Sequence, residues 1–244
     1  MNWSIRYAIA QLNWTMSPSL QSGEAYGNII GRVNEFYSKG GTVEIHHFNG
    51  KKFTPNKNIA RELDSQSNRI ENSQERSNIS LKGMLDAYSG AYKKGKFSSF
   101  LDETFKLGAK HYVLIARDKN NNVTAALNVS KFPGTENSVP VFAIGSVASI
   151  SPGHASVLQH AMLHHIAGEQ SVISSQVFNP TVNNGIWTEA DQNQQNNALR
   201  YHKGIGRRIE QTPGGNVTSN WFKSDTARLV RNTRARTNII HFYN

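Results

Sequence analysis

The 244-residue chain contains no cysteine. Without thiols it can form no disulfide, hold no thiolate-bound metal and use no cysteine nucleophile. No window approaches 18 continuous apolar residues, so the sequence predicts no membrane-spanning helix. The stretch that follows Met1 also lacks the apolar core of a signal peptide. We therefore expect a cytoplasmic protein, or one delivered to a target-cell cytoplasm without a cleavable signal peptide.

Acidic residues are few, with 17 Asp and Glu against 27 Lys and Arg, and the formal net charge is +10. A basic chain favours polyanionic partners such as tRNA, ribosomes or acidic protein faces, and a phosphate-rich cofactor is also anionic. The length allows one large domain, or one domain with an N-terminal extension. We prefer the second, with a mostly helical region over 1–108 and a second region over 109–244.

The first region is interpreted mainly as helix. Apolar spacing predicts a helix over 19–37 and two short helices over 81–106. Residues 42–54 are typical of a β-hairpin because Asn49-Gly50 supplies the positive φ angles of a tight turn. The polar stretch 56–78 is interpreted as an exposed helix or connector.

In the second region apolar residues recur at every second position, which is typical of β-strands. The pattern predicts a mixed α/β fold in the order β-β-β-α-β-α. The expected strands are 112–116, 123–129, 141–150 and 171–178. A helix over 156–167 separates the last two strands, and a short helix containing Tyr201 follows them.

The residues Ile150-Ser151-Pro152-Gly153-His154-Ala155 lie between the third strand and its helix. They resemble the motif Gln/Arg-x-x-Gly-x-Gly/Ala of the GNAT N-acyltransferases, keeping the two small positions and lacking the first residue. In that family small residues let the backbone approach the pyrophosphate of coenzyme A, whose phosphates bind amides at the helix N-terminus. The resemblance covers about 112–206 and implies a GNAT-like α/β fold with a helical N-terminal extension. It also implies acetyl-CoA as co-substrate, without a metal.

The same resemblance implies the site residues. The strand positions that would pair through their main chain with the pantetheine arm are Ser146, Val147, Ala148 and Ser149, and Ile150 is a further expected cofactor-binding residue. The expected phosphate-binding residues are Gly153, His154, Ala155 and Ser156, and Asn197 is expected to contact the cofactor. Tyr201 would be the general acid that protonates the leaving thiolate. Ala198 and Gly204 depart from the family spacing around this tyrosine.

The expected activity is transfer of an acetyl group to an amine on a macromolecular acceptor, either a protein or aminoacyl-tRNA, and a toxin or secreted-effector role is one expectation for it. No general base is assigned. Two alternatives remain open at this stage. One is a basic nucleic-acid-binding or nuclease-type module, and the other is a non-catalytic interaction protein with a GNAT fold.

Two further patterns have a structural and a functional interpretation. His160, His164 and His165 have a spacing that could bind a metal, but no glutamate lies between them and no third ligand is visible, so no metal is predicted. The basic segment over 223–236 follows Trp221 and Phe222 and precedes Phe242 and Tyr243. It is interpreted either as an RNA-binding face or as a solvated helix followed by a closing strand, Ile239 to Tyr243.

Overall fold

The computed structural model describes residues 23–72, 75–98, 102–133, 139–177, 189–211, 217–231 and 238–243. The helices are α1 (Gly23–Ser38), α2 (Lys57–Arg69), α3 (Arg76–Lys94), α4 (Asp102–Lys106), α5 (His154–Met162, continued by a π-helical turn Leu163–Ala167), α6 (Glu189–Gly204) and α7 (Lys223–Arg231). The strands are β1 (Thr42–Phe48), β2 (Lys110–Arg117), β3 (Val123–Phe132), β4 (Val141–Ser149), β5 (Val172–Gln176), β6 (Arg208–Gln211), β7 (Val217–Trp221) and β8 (Ile239–Tyr243). The expected start of the first helix at 19 and the expected end of the fourth strand at 178 lie outside the described residues. None of the helices among these residues is long and apolar enough to cross a membrane.

The strands form one eight-stranded sheet in the order β6-β7-β5-β4-β3-β2-β1-β8. Neighbours are antiparallel except for β4 with β5 and β1 with β8, which are parallel. The predicted mixed α/β class is confirmed. The division expected between residues 108 and 109 falls inside this sheet, because β1 pairs with β2 from Thr42 opposite Arg117 to Phe48 opposite His111.

The hairpin expected over 42–54 is wrong. After the Asn49-Gly50 turn, Lys52 forms only an isolated bridge with Lys96. The reason is that β1 is buried on both faces, with Val43 and Ile45 in one core and Phe48 in the other. The main-chain N–H and C=O groups along both edges of such a strand need hydrogen-bonding partners, and β2 and β8 provide them.

The two faces of the sheet carry separate cores. On one face α1 and α5 pack, with Phe36 and Leu158 among the buried residues. On the other face α2 and α3 pack, with Leu63 and Leu85 buried. The polar stretch 56–78 thus contributes a helix with a buried side rather than an exposed connector.

Candidate functional site

The parallel strands β4 and β5 separate part of the way along their length. They pair from Val141 opposite Val172 to Ile144 opposite Ser175, and β4 then continues to Ser149 beside β3. In the part of the chain that the structure describes, no strand pairs with the β5-facing edge of residues 145–149. We call this opening the β4–β5 cleft. Because the main-chain groups along this edge can hydrogen-bond to a partner strand, the cleft suits an extended ligand that carries amides of its own.

A β-bulge marks the point of separation. Asn128 pairs with Ser146 whereas Val129 pairs with Ile144, so Gly145 is an extra residue in β4. The Asn128 side chain occupies the bulge, accepting from Ser146 N at 3.0 Å and donating to Ser146 Oγ at 2.6 Å. A Cβ atom at position 145 would collide with Asn128 Oδ1. Bulges bend the strand that contains them, which explains why β4 leaves β5 here.

The loop after β4 is fixed by short contacts and begins α5. Gly153 has φ +82°, a conformation that favours glycine. Ser149 Oγ donates to the Ser151 carbonyl at 2.6 Å, and His154 Nδ1 lies 2.7 Å from Thr124 Oγ1. The first amides of a helix lack partners within it, and the helix dipole is positive at that end. The start of α5 is therefore suited to an anion.

Arg32 on α1 adds a positive charge to this helix start. Its Nη1 donates to Ser156 Oγ at 3.0 Å, and its Cγ and Cδ would lie 3.2 Å from a Cβ at position 153. Sequence reasoning missed this residue because it lies outside the motif and far from it along the chain. The charged side chain and the dipole together make a stronger anion site than either feature alone.

Tyr201 faces α5 from α6. Tyr201 is half-buried, and its hydroxyl accepts from Gln159 Nε2 at 2.6 Å and also hydrogen-bonds with the Ser156 side chain. Burial raises the pKa of Tyr201, which keeps the phenol protonated at neutral pH.

The other expected site residues lie on β4, on the loop after it and at the start of α5, except Asn197. Val147 is half-buried, Ala148 is buried, and Ile150 N donates to the Thr124 carbonyl at 2.9 Å. The Ser156 amide, expected to face phosphate, donates to the Gly153 carbonyl at 3.0 Å. Asn197 is exposed on α6. The structure thus brings together the β4 and loop positions but gives Asn197 no comparable placement.

A cavity of about 970 Å³ lies between α3 and the separated strands. Both sides of the β4–β5 cleft line it, through residues such as Gly145, Ser146, Ser174 and Gln176. Any group that passes through the cleft therefore meets this cavity. Sequence reasoning missed it because the periodicity of its α3 wall indicates a helix and nothing about what that helix faces.

A buried hydrogen-bond chain forms part of the cavity wall. Tyr88 Oη lies 3.0 Å from His111 Nε2, and His111 Nδ1 lies 3.2 Å from Ser130 Oγ. Burial lowers the pKa of His111 to about 3 and raises that of Tyr88. Both groups are consequently neutral at physiological pH.

The histidines of α5 and an arginine of the basic C-terminal segment make contacts within the fold. The rings of His160 and His164 pack 4.4 Å apart. No three His, Asp or Glu side chains among the described residues are grouped as a metal site. In the basic C-terminal segment Arg231 Nε pairs with Glu169 at 2.9 Å, and the expected strand Ile239–Tyr243 is confirmed as β8.

No family model and no curated protein matches the chain. Solved structures that resemble it include a point mutant of the AtaT toxin bound to the C-terminus of antitoxin AtaR and acetyl-CoA, at 12% identity and TM-score 0.37, covering 68% of this chain and 90% of that one. A spermidine N-acetyltransferase SpeG mutant from Vibrio cholerae has 10% identity and TM-score 0.37, covering 76% and 96%. A GNAT-family acetyltransferase from Staphylococcus aureus Mu50 has 10% identity and TM-score 0.33, covering 73% and 98%. At these identities and TM-scores the substrates of those proteins do not indicate the substrate of this chain.

Proposed function

We propose that the protein is an N-acyltransferase that moves an acetyl group from acetyl-CoA to an amine. The observation that carries this proposal is the separation of β4 from β5 next to the start of α5. A single ligand that fits both features must combine a narrow, amide-bearing arm with phosphates. Coenzyme A has this combination, since its pantetheine arm carries two amides and its other end carries a pyrophosphate and a further phosphate.

Each part of the site then has a chemical task. The main chain of Ser146 to Ser149 would pair with the pantetheine amides. The start of α5 at Ala155, the loop around Gly153 and the Arg32 guanidinium would bind the phosphates. Tyr201 would donate its proton to the thiolate as the acceptor nitrogen forms the new C–N bond and the C–S bond breaks.

The acceptor is proposed to be an amine on a macromolecule, either a protein or aminoacyl-tRNA. The support is the net charge of +10, which favours association with polyanions. A toxin or effector role, and a cytoplasmic site of action, are part of the same proposal.

Thermal unfolding of the full chain with and without acetyl-CoA tests the cofactor site. At about a hundredfold excess over the dissociation constant, binding should add about 2.7 kcal/mol to stability. Gly153→Glu places a carboxylate where the phosphates would bind and should abolish the rise in Tm. Gly168→Glu is the comparison variant, because Gly168 also has positive φ (+73° against +82°), follows the opposite end of α5 and has open space around it; its ψ of −174°, against −19° at Gly153, makes a side chain there more strained.

The comparison variant should lose stability from backbone strain and still respond to acetyl-CoA. A wild-type protein whose Tm is unmoved by acetyl-CoA, but which binds RNA with a steep salt dependence, would instead support the nucleic-acid alternative.

A further inference from the structure

Arg207 is a buried cation whose hydrogen bonds lead to neutral groups. It is 4% exposed, and its Nη1 donates to Ser175 Oγ at 2.6 Å and to the Ser219 carbonyl at 3.2 Å. Among the described residues, its Nε and Nη2 have no hydrogen-bonding partner. The next residue, Arg208, instead pairs with Asp225 at 2.7 Å. Within the described part of the chain, Arg207 therefore carries a charge that no carboxylate balances.

Hydrogen bonding alone is a poor reason for a charge at this position. Burying an ion costs far more free energy than burying a neutral amide, so a neutral donor would tie β5 to β7 at a lower cost. The Trp221 ring, whose centroid lies 4.5 Å from Arg207 Cζ, offsets part of this cost. Burial lowers the pKa of Arg207 to about 10, so the side chain remains charged at neutral pH. The retained charge indicates an electrostatic role.

The Arg207 guanidinium lies at the end of the β4–β5 cleft to which a thioester would extend. Its partner Ser175 is the last residue of β5 that pairs with β4, opposite Ile144. The proposed phosphate site lies at the other end of the cleft, beyond Ser149. A pantetheine arm that follows residues 145–149 away from the phosphates therefore brings the thioester toward the Ile144–Ser175 pair.

The chain folds Arg207 back toward Tyr201. The Arg207 amide donates to the His202 carbonyl at 3.0 Å, which holds the residue against the last turn of α6. Tyr201 packs against the core that contains Trp221, the ring beneath the guanidinium. Burial raises the pKa of Tyr201, and the charges of Arg207 and then Arg32 oppose this rise. The His202 ring lies 5.3 Å from the Tyr201 ring but is neutral, because burial lowers its pKa to about 3.

We propose that Arg207 assists proton donation by Tyr201, by stabilising the phenolate that forms when the coenzyme A thiolate takes the proton. The inference rests on the proposed acyltransferase function and adds a residue to it. The acceptor nitrogen forms the C–N bond, the C–S bond breaks, and its electron pair stays on sulfur. Tyr201 gives its proton to that sulfur, the excess proton on nitrogen leaves to solvent, and solvent later returns a proton to the phenolate. Arg207 keeps its own protons and acts through Tyr201, so it is a positioning residue.

A fixed cation is effective here because a buried phenolate has lost the water that would otherwise stabilise it. Charges interact more strongly in a low-dielectric interior than in water. A charge that is already held in place also needs no reorganisation when the phenolate forms. Ser175, Ser219 and Trp221 hold the guanidinium in this way.

The pKa of the side chain at position 201 provides a test that needs no turnover. A fluorotyrosine, whose phenol is more acidic than that of tyrosine, is incorporated at position 201 of the full chain and titrated by fluorine NMR. Arg207→Gln should raise its pKa by at least about one unit, a tenfold change in the equilibrium between phenol and phenolate. Arg207→Met is a second charge-free variant, because apolar side chains of similar volume often replace buried ions without loss of stability.

Two further variants separate the charge of Arg207 from its other contacts. Arg208→Gln is the matched control, because it removes the same charge one residue away. It should lower Tm, since the buried Asp225 loses its partner, and leave the pKa at position 201 unchanged. Arg207→Lys keeps a positive charge and should give a pKa between those of the parent and Arg207→Gln. An unchanged pKa in the charge-free variants, or an equal rise in Arg208→Gln, would overturn the inference.

A double-mutant cycle provides the kinetic readout. Release of free coenzyme A from acetyl-CoA is measured with water as the acceptor, because the same C–S bond breaks. Arg207→Gln should lower kcat about tenfold with little change in the KM for acetyl-CoA, since a weaker acid protonates the thiolate less readily. In a Tyr201→Phe background the same substitution should lower kcat no further. Equal losses in both backgrounds would assign Arg207 a structural role and overturn the inference.

The outcomes for this inference and for the proposed function are distinguishable. Failure of acetyl-CoA to raise the Tm of the parent protein counts against the proposed function itself. The fluorine NMR titration measures the link between Arg207 and position 201 in either case. A protein that acetyl-CoA stabilises, but whose pKa at position 201 does not respond to Arg207→Gln or Arg207→Met, keeps the proposed function and loses this inference.

Discussion

At the scale of single residues, Arg32 is the side chain whose replacement should reveal the phosphate end of the site. It donates to Ser156 Oγ and lies against Gly153, yet it is exposed and belongs to neither core. Arg32→Gln should leave Tm nearly unchanged and weaken acetyl-CoA binding by about 10- to 150-fold, since a hydrogen bond to a charged group is worth about 1.5–3 kcal/mol. Isothermal titration calorimetry measures the change.

Arg61→Gln is the comparison for this experiment, because Arg61 is an exposed arginine on α2, on the other face of the sheet. It removes the same charge from the protein and should leave the affinity unchanged. Equal weakening in both variants would show that only the overall charge matters and that Arg32 has no place in the site.

The sequence predicted the residues that are contiguous in the motif and missed those that reach it through space. Gly153 and His154 follow one another between a strand and a helix, which is visible in the sequence. Asn128 and Arg32 act through partners 18 and 124 residues away. Gln66 shows the same difficulty, because this polar residue is buried where it accepts from Val123 N at 2.9 Å, and composition alone places it on the surface.

At the scale of secondary-structure elements, β8 protects the edge of β1. Its parallel pairing places Phe242 against the buried His46 ring, at a centroid distance of 4.6 Å. Removal of residues 238–244 would uncover both the ring and a row of unpaired main-chain groups. We expect a fall in Tm and concentration-dependent aggregation, measured by thermal scanning and light scattering.

A substitution on the same strand provides the control. Ile240 is 46% exposed, so Ile240→Lys should change Tm little and, by adding charge to an edge strand, should not increase aggregation. A truncated protein as stable and as soluble as the parent would show that β8 contributes nothing beyond its own pairing.

The strands with regular alternation, β2 to β5, were predicted well, whereas β6 and β7 were not predicted and the pairing of β1 was predicted wrongly. β2 and β3 are joined by a short turn, so their pairing follows from adjacency. The partners of β1 come 60 or more residues later in the chain, from β2 and β8. The local Asn49-Gly50 turn therefore led to the prediction of a hairpin, whereas the true partners of β1 are distant in the sequence.

At the scale of the whole molecule, the buried histidines make stability depend on pH. Burial lowers the pKa of His111, His160 and His202 to about 3 each, well below the unfolded value of about 6.5. The unfolded chain therefore binds more protons between these values. This contribution is complete above about pH 6.5 and is lost as the pH falls below it, by about 1.4 kcal/mol for each histidine at pH 5.5.

Urea unfolding at pH 7.5 and 5.5 measures this loss, and His160→Gln identifies its source. The variant removes one titrating group without changing charge at neutral pH. Its difference in unfolding free energy between the two pH values should be smaller than that of the parent by about 1.4 kcal/mol. A variant with the full difference would assign the effect to other groups.

The bulge at Gly145 has a consequence for how the protein meets other proteins. Exposed strand edges recruit strands from neighbouring molecules, and this is a common route to aggregation. Here the free edge of residues 145–149 lies in the interior of the sheet, with β3 behind it and β5 diverging in front. A strand from another molecule would therefore have to enter between β4 and β5, whereas it could add directly to an outer edge of the sheet. The fold thereby offers main-chain hydrogen bonds to a slender ligand at a position inside the sheet and not at its outer edge.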